Sequence, residues 1–423
     1  MVNRTDFEQF RRLARPARTA RVTLRDAARS LRPRIVRETE LTEPDAPGED
    51  VFELEPRGPA IVESPFSTPE AEVTEATERN ENMAELLHVG IDLGTSRSAI
   101  SASNGERFVV DSFVGWPVDM VARKVLKREV LIGHEAVSNR TMLDLHRPLE
   151  RGLLKEGSEK DVEAVRELLK HLLRLVGVSS NGRVHASNVR AVVGVPAAAL
   201  RTNKQYLRNS MKGIVDSLLI VSEPFAVAYG LDALLHTMII DIGAGTTDFC
   251  VMKGRYPTEE DQRTLTVAGD SIDTQLLKLI EERYPQANVT VFMVREWKEK
   301  FSFVNDSRER IMVTAPVRGV PTELDITAEI KTACETLLAP VVETMLDLLA
   351  RVEPEFQERV RNNIILSGGG GLIRGLGTAL ETALRSVGGG KVRYMEDPVF
   401  VGSDGGLALA MDAPEGDWEK LTA

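Results

Sequence analysis

The sequence predicts an α/β protein built from two related domains facing one cleft, and two observations carry that reading. The stretch Met238 to Asp248 is an apolar, β-branched run that ends in Asp241 and enters a turn of small residues, Gly243, Ala244, Gly245, Thr246 and Thr247. Such a turn leaves backbone N–H groups open to an anion. A shorter version stands earlier, where Leu87 to Ile91 is apolar, Asp92 follows, and Gly94, Thr95 and Ser96 make the turn. The two aspartates are roughly 150 residues apart, about one domain's length of chain.

Either turn alone also fits an ordinary hairpin. The pair at domain spacing points instead to a polyphosphate held between two matched loops. Two anions repel, so Asp92 and Asp241 fit best as outer ligands of Mg2+, which keeps several waters and bridges carboxylates to phosphate oxygens.

Composition narrows the function classes. A chain of 423 residues with 42% hydrophobic content can bury two medium cores and still carry a tail. The net charge of −11 argues against nucleic acid as a partner of the folded core. Cys250 and Cys334 lack metal or redox spacing, so they read as buried small hydrophobes in a reducing compartment. No apolar run approaches the roughly 20 residues of a membrane span, and a cytoplasmic protein is expected.

Taken in order, residues 1–85 are expected to form a disordered tail. Met1 to Arg37 is rich in Arg without Lys, and Glu38 to Glu85 is acidic and interrupted by prolines. Phe7 to Leu31 has some helical periodicity, which reads either as a basic amphipathic arm for an anionic membrane or acidic partner, or as part of a solvated tail. Met83 is an alternative start.

Globular texture begins at Leu86. Lys124, Lys127 and Arg128 form a small basic group that reads as a solvated face. Asp161 to Val176 reads as an amphipathic helix, Val189 to Val195 as a buried strand ending at Pro196, and Leu200 to Val215 as a helix. Leu218 to Gly230 reads as a strand, the junction Ser222-Glu223-Pro224-Phe225 and a small-residue helix, with Ser222 a possible cap and Pro224 in the tolerant first turn. Glu223 is then either a carboxylate aimed into the cleft or a charge favoured by the helix dipole.

Gly269 opens a helix to about Tyr284, Val294 to Val304 looks helical and carries the pair Lys298-Glu299, and Ala328 to Arg351 reads as one long helix. The strand Asn362 to Leu366 runs into Ser367, Gly368, Gly369, Gly370, Gly371, Leu372 and Ile373, glycines that permit close approach to a flat ligand or a phosphate. Val399 to Met411 reads as a return helix packed closely on a neighbour.

With these pieces in this order the chain resembles the actin and sugar-kinase superfamily, whose actin-like, ribonuclease H-like fold duplicates an α/β domain around a nucleotide cleft. Asp92 to Ser96 matches the first phosphate motif, Leu219 to Gly230 the first connecting helix and Met238 to Asp248 the second phosphate motif. Leu366 to Arg374 matches the adenosine motif, and Val401 to Met411 the second connecting helix. Val294 to Val304 is similar to the adenine-contacting helix of actin. The most specific likeness is to the filament-forming bacterial actins of magnetosome-bearing bacteria, carried by Ser222 to Phe225, Asp241 to Asp248, Lys298-Glu299 and Phe301 to Val304. The long tail departs from that pattern.

The resemblance implies one domain over 86–236 completed by 398–412, a second over 237–397, and a C-terminal tail over 413–423. It implies ATP and Mg2+ as cofactors, with phosphates on the turns Gly94 to Ser96 and Gly243 to Thr247 and Mg2+ oriented through water by Asp92 and Asp241. Gly269, Lys298, Glu299, Gly368, Gly369, Gly370 and Ile373 would surround the nucleotide, Glu299 reaching the ribose, and Glu223 would polarise the attacking water. A self-assembling cytoskeletal filament, with magnetosome or membrane-associated adaptors as further partners, is the expected function. A chaperone-type ATPase and a small-molecule kinase are the alternatives on the same cleft.

Overall fold

The computed structural model describes residues 86–155, 158–178, 185–199, 201–305 and 309–421. The expectations for the N-terminal tail, including the Phe7 to Leu31 periodicity and Met83, lie outside the described residues.

Two sheets share one local plan. In the first, Leu87–Leu93 pairs parallel with Val189–Val195 on one side and antiparallel with Arg97–Ala102 on the other. In the second, Leu235–Ile242 pairs parallel with Ile364–Ser367 and antiparallel with Thr247–Lys253. Each aspartate-bearing strand is therefore central, and each aspartate stands where its hairpin is about to turn. Both strands are largely buried on both faces, as expected when helices cover a sheet from two sides, although one face of the first carries His88, Gly90 and Asp92.

The first sheet extends through Ser217–Ser222 and Arg107–Asp111, the second through Gln262–Leu265 and Val392–Tyr394. Within the stretch expected as a tail, residues 413–421 contribute to the first sheet: Glu419–Lys420 pairs antiparallel with Ser217 and Leu218, and Trp418 and Leu421 are buried. Helix Glu159–Leu175 buries Ala164, Val165, Leu168, Leu169, Leu172 and Leu173, whereas Val162, expected on the same face, is only partly buried, and Ser158 caps the helix by accepting the Asp161 N–H.

Two helices, Glu223–Gly230 and Val401–Asp412, cross between the sheets, joined by a core that includes Val192, Phe225, Ile239, Ile365 and Leu409. They approach with no room for side chains, since a Cβ on Gly405 would sit 1.9 Å from the Ala226 carbonyl oxygen. That contact is the close packing expected of the return helix.

Three elements differ from expectation. The helix expected over residues 328–351 is two, Thr327–Glu335 and Leu338–Ala350. Pro340 explains the break, because its ring excludes the carbonyl four residues back and is tolerated only in a first turn. Helix Arg201–Met211 stops short of Val215, with Gly213 at φ 71° behind it. Helix Val291–Phe301 begins early because Thr290 caps it, and ends at Ser302, after which Phe303 bridges to Arg374.

Candidate functional site

The two hairpin turns open onto a single cleft of about 350 Å³, enough for a small organic ligand. Asp92, Gly94, Thr95 and Ser96 line it from the first sheet, and Asp241, Gly243, Ala244, Gly245 and Thr246 from the second. Glu223, Gly269, Lys298, Glu299, Gly368, Gly369, Gly370 and Ile373 complete the wall. The turns touch: a Cβ on Gly245 would fall 2.3 Å from Thr95 Oγ1 and 2.7 Å from the Gly152 amide nitrogen.

One expected residue is elsewhere. Thr247 is fully buried on its strand and donates its hydroxyl to the Val267 carbonyl at 2.8 Å, so it is a fold contact and not part of the cleft wall. The strand alternation explains this, because Thr247 pairs with Ile242 one step outside the turn. Ser222 occupies the cap position of helix Glu223–Gly230 but makes no side-chain capping bond.

Asp92, Glu223 and Asp241 line the cleft, and a fourth carboxyl group, Asp248, is near enough for its charge to act on Asp241 and Glu223. Burial raises Asp92 to about 6. Burial, then the charges of Asp92 and Asp248, raise Asp241 to about 8. Glu223 is pushed well above the ordinary carboxylate range by burial and by Asp92, Asp248 and Asp241. Asp248 is also raised by burial, against bonds from the Thr264 and Thr246 hydroxyls and the Ala197 N–H.

Carboxylates crowded in this way call for a cation or for protons. Among the described residues no three His, Cys, Asp or Glu are placed to ligate a metal directly. The donor set therefore fits Mg2+ held through its waters and through phosphate oxygens.

Local geometry explains the glycines. Gly368 has φ +70°, and a Cβ there would lie 2.4 Å from Asp241 Oδ1. Gly194 leaves room for Glu223, whose Cγ lies 3.2 Å from the position a Cβ would take. Helix Gly269–Arg283 presents its N-terminus to the cleft, where its dipole favours an anion, while the Gly269 and Asp270 N–H groups are spent on the Gly243 and Ala244 carbonyls.

Lys298 donates to the Gly269 carbonyl at 2.9 Å and pairs with the buried Asp273 at 2.8 Å. Glu299 lines the cleft while pairing with Arg97 at 2.5 Å. Arg97, Arg147, Gly152, Asp248, Asp270 and Arg295 also belong to this site and its supports, although sequence reasoning gave none of them a role. Asp248 closes the second motif, Arg97 and Asp270 directly follow residues singled out above and Arg295 lies in the Val294 to Val304 stretch, whereas Arg147 and Gly152 lie where no motif was read.

A central strand ending in Asp and a small-residue turn, repeated on two sheets across one cleft, defines an actin-like fold. The family described as MreB/Mbl protein matches residues 86–412, and the chain belongs to that family. It is 41% identical over 335 residues to the actin-like protein MamK of Paramagnetospirillum magneticum, covering 79% of this chain and 95% of that protein. With the MamK of Magnetospirillum gryphiswaldense it shares 40% identity over 353 residues, 82% of this chain and 97% of the relative.

Among solved structures it matches the MamK double helical filament with a TM-score of 0.75 at 41% identity, over 78% of this chain and 99% of that one. A non-polymerising MamK mutant bound to AMPPNP matches with a TM-score of 0.59 at the same identity and the same coverage.

Proposed function

We propose that this chain is an ATP-hydrolysing, actin-like cytoskeletal protein that assembles with copies of itself into filaments and serves magnetosome organisation in the cytoplasm. The observation that carries the reading is the convergence of Asp92 and Asp241 on the floor of one cleft, beneath two turns that approach each other. Family membership and the MamK relatives supply the filament and the cellular setting. No helix among the described residues is long and apolar enough to cross a membrane.

In this reading residues 86–236 with 398–412 form one domain and 237–397 the other. Backbone amides of Gly94 to Ser96 and Ala244 to Thr246 hold the β- and γ-phosphates, the Gly243 N–H being taken by the Thr246 carbonyl. The Thr95 hydroxyl accepts from the Gly152 N–H at 2.9 Å and keeps its own proton for a phosphate oxygen. Gly368 to Gly370, Ile373, Lys298, Glu299 and Gly269 enclose the nucleoside.

Asp92 and Asp241 would hold Mg2+ through its waters, and the bound ion would neutralise phosphate charge. Glu223 sits at the strand-to-helix junction, where a carboxylate can accept a proton from the attacking water, a contribution of about 10²- to 10⁴-fold. Most of the remaining acceleration in phosphoryl transfer comes from positioning and electrostatics. The test is pelleting and phosphate release after addition of Mg-ATP. Assembly with release of phosphate to water supports the reading, and transfer of phosphate to a small molecule overturns it.

A further inference from the structure

One ion pair outside the sequence motifs ties the two turns together. Arg147 donates from Nε to the Thr95 carbonyl at 2.7 Å, and from Nη1 and Nη2 to the two carboxylate oxygens of Asp270 at 2.8 and 3.1 Å. Asp270 donates its backbone N–H to the Ala244 carbonyl at 2.7 Å. A continuous path of short hydrogen bonds therefore runs from the first turn through a guanidinium and a carboxylate to the second.

The pair is shielded, with side-chain exposures of 21% and 31%. Arg295 backs it, reaching Asp270 at 3.4 Å and Asp273 at 3.2 Å. A bidentate fork fixes distance and orientation as well as charge. At the cleft rim Arg97 and Glu299 make a second bridge, half-exposed and thus open to screening.

We propose that Arg147 and Asp270 are a positioning pair that sets the spacing of the two phosphate turns, and with it the geometry of attack and the retention of nucleotide. The inference rests on the nucleotide reading of the cleft. Neither side chain meets the reacting atoms; each acts through the backbone of a turn that does.

The experiment uses the full chain and compares the parent with Arg147→Lys, which keeps the charge and loses the fork, with Asp270→Asn, and with both together. Three quantities are read: release of a fluorescent ATP analogue, phosphate production against ATP concentration, and melting temperature. The expected result for each single variant is kcat lower by about 10- to 100-fold, in line with displacement of a reacting group by about 1 Å. KM should change less than kcat, and analogue release should be several-fold faster.

The double variant should be no worse than the poorer single one, because both remove the same bridge. Variants that melt earlier but keep the parental kcat and release rate would overturn the proposal, leaving a structural salt bridge only. Should Asp270→Asn fail to fold, Arg147→Lys carries the same test. A parent that does not bind the analogue would overturn the nucleotide reading itself, and the inference with it. Parental binding with indistinguishable variants removes the pair's role alone.

Discussion

The turn after Asp92 and the turn after Asp241 sit at the same place on matching hairpins, yet different contacts hold them. The second is fixed by backbone: the Gly243 N–H donates to the Thr246 carbonyl at 2.9 Å, and the Gly269 and Asp270 N–H groups donate to the Gly243 and Ala244 carbonyls at 3.1 and 2.7 Å. The first borrows its support. The Arg147 guanidinium holds the Thr95 carbonyl, and the Gly152 N–H holds the Thr95 hydroxyl. The second turn is thus secured mainly by backbone groups, and the first also by side chains, Ser112 donating to the Gly94 carbonyl at 2.7 Å and Arg147 to the Thr95 carbonyl. Single side-chain substitutions should disturb the first turn more readily than the second, unless they touch an aspartate.

Replacing such an aspartate gives the largest expected effect. Asp241→Ala should lose both nucleotide binding and hydrolysis, read by analogue titration and phosphate release, because it removes the carboxylate common to ion placement and the adenosine glycine. Next comes Glu223→Ala, which should retain binding while hydrolysis falls by about 10²- to 10⁴-fold. Hydrolysis at the parental rate would remove Glu223 from the chemistry and leave the two turns as a binding device.

The pH dependence sharpens the comparison further. In nucleotide-free protein Asp241 titrates at about 8 and Asp92 at about 6, against an ordinary 3.8. The folded chain holds protons that the unfolded chain has lost, so their contribution to stability is complete below the ordinary value and disappears as pH rises through about 6 for Asp92 and about 8 for Asp241. Melting temperature without nucleotide should fall between pH 6 and 8 in the parent, and less in Asp241→Asn. A flat parental profile would contradict the crowding of carboxylates around the second turn.

The smallest effect is expected at Thr247. Thr247→Val removes a buried bond to the Val267 carbonyl and should cost about 1–3 kcal/mol in chemical denaturation while leaving the KM for ATP unchanged.

How far the sequence was legible follows from the same contrast. Motifs that place chemistry in consecutive residues were readable, since Asp92 to Ser96, Asp241 to Thr246 and Gly368 to Gly370 all meet at the cleft. Thr247 was misplaced because motif membership does not say which face of a strand a residue takes, whereas the pleat does. Arg147, Gly152 and Asp270 were missed because their roles come from tertiary approach, and an Arg before a Pro has no local signature. The long helix was overdrawn because its apolar period continues through Thr336 and Leu337, and only the missing N–H of Pro340 marks the break.

The most direct test is titration of a non-hydrolysable ATP analogue with Mg2+ onto the parent, Asp92→Asn and Asp241→Asn. Two turns closing on one ligand predict a single site per chain and affinity lower by about 10-fold or more in both variants, on the scale of a lost charge-assisted contact. Parental affinity in either variant would show that only one turn binds, contradicting the shared cleft.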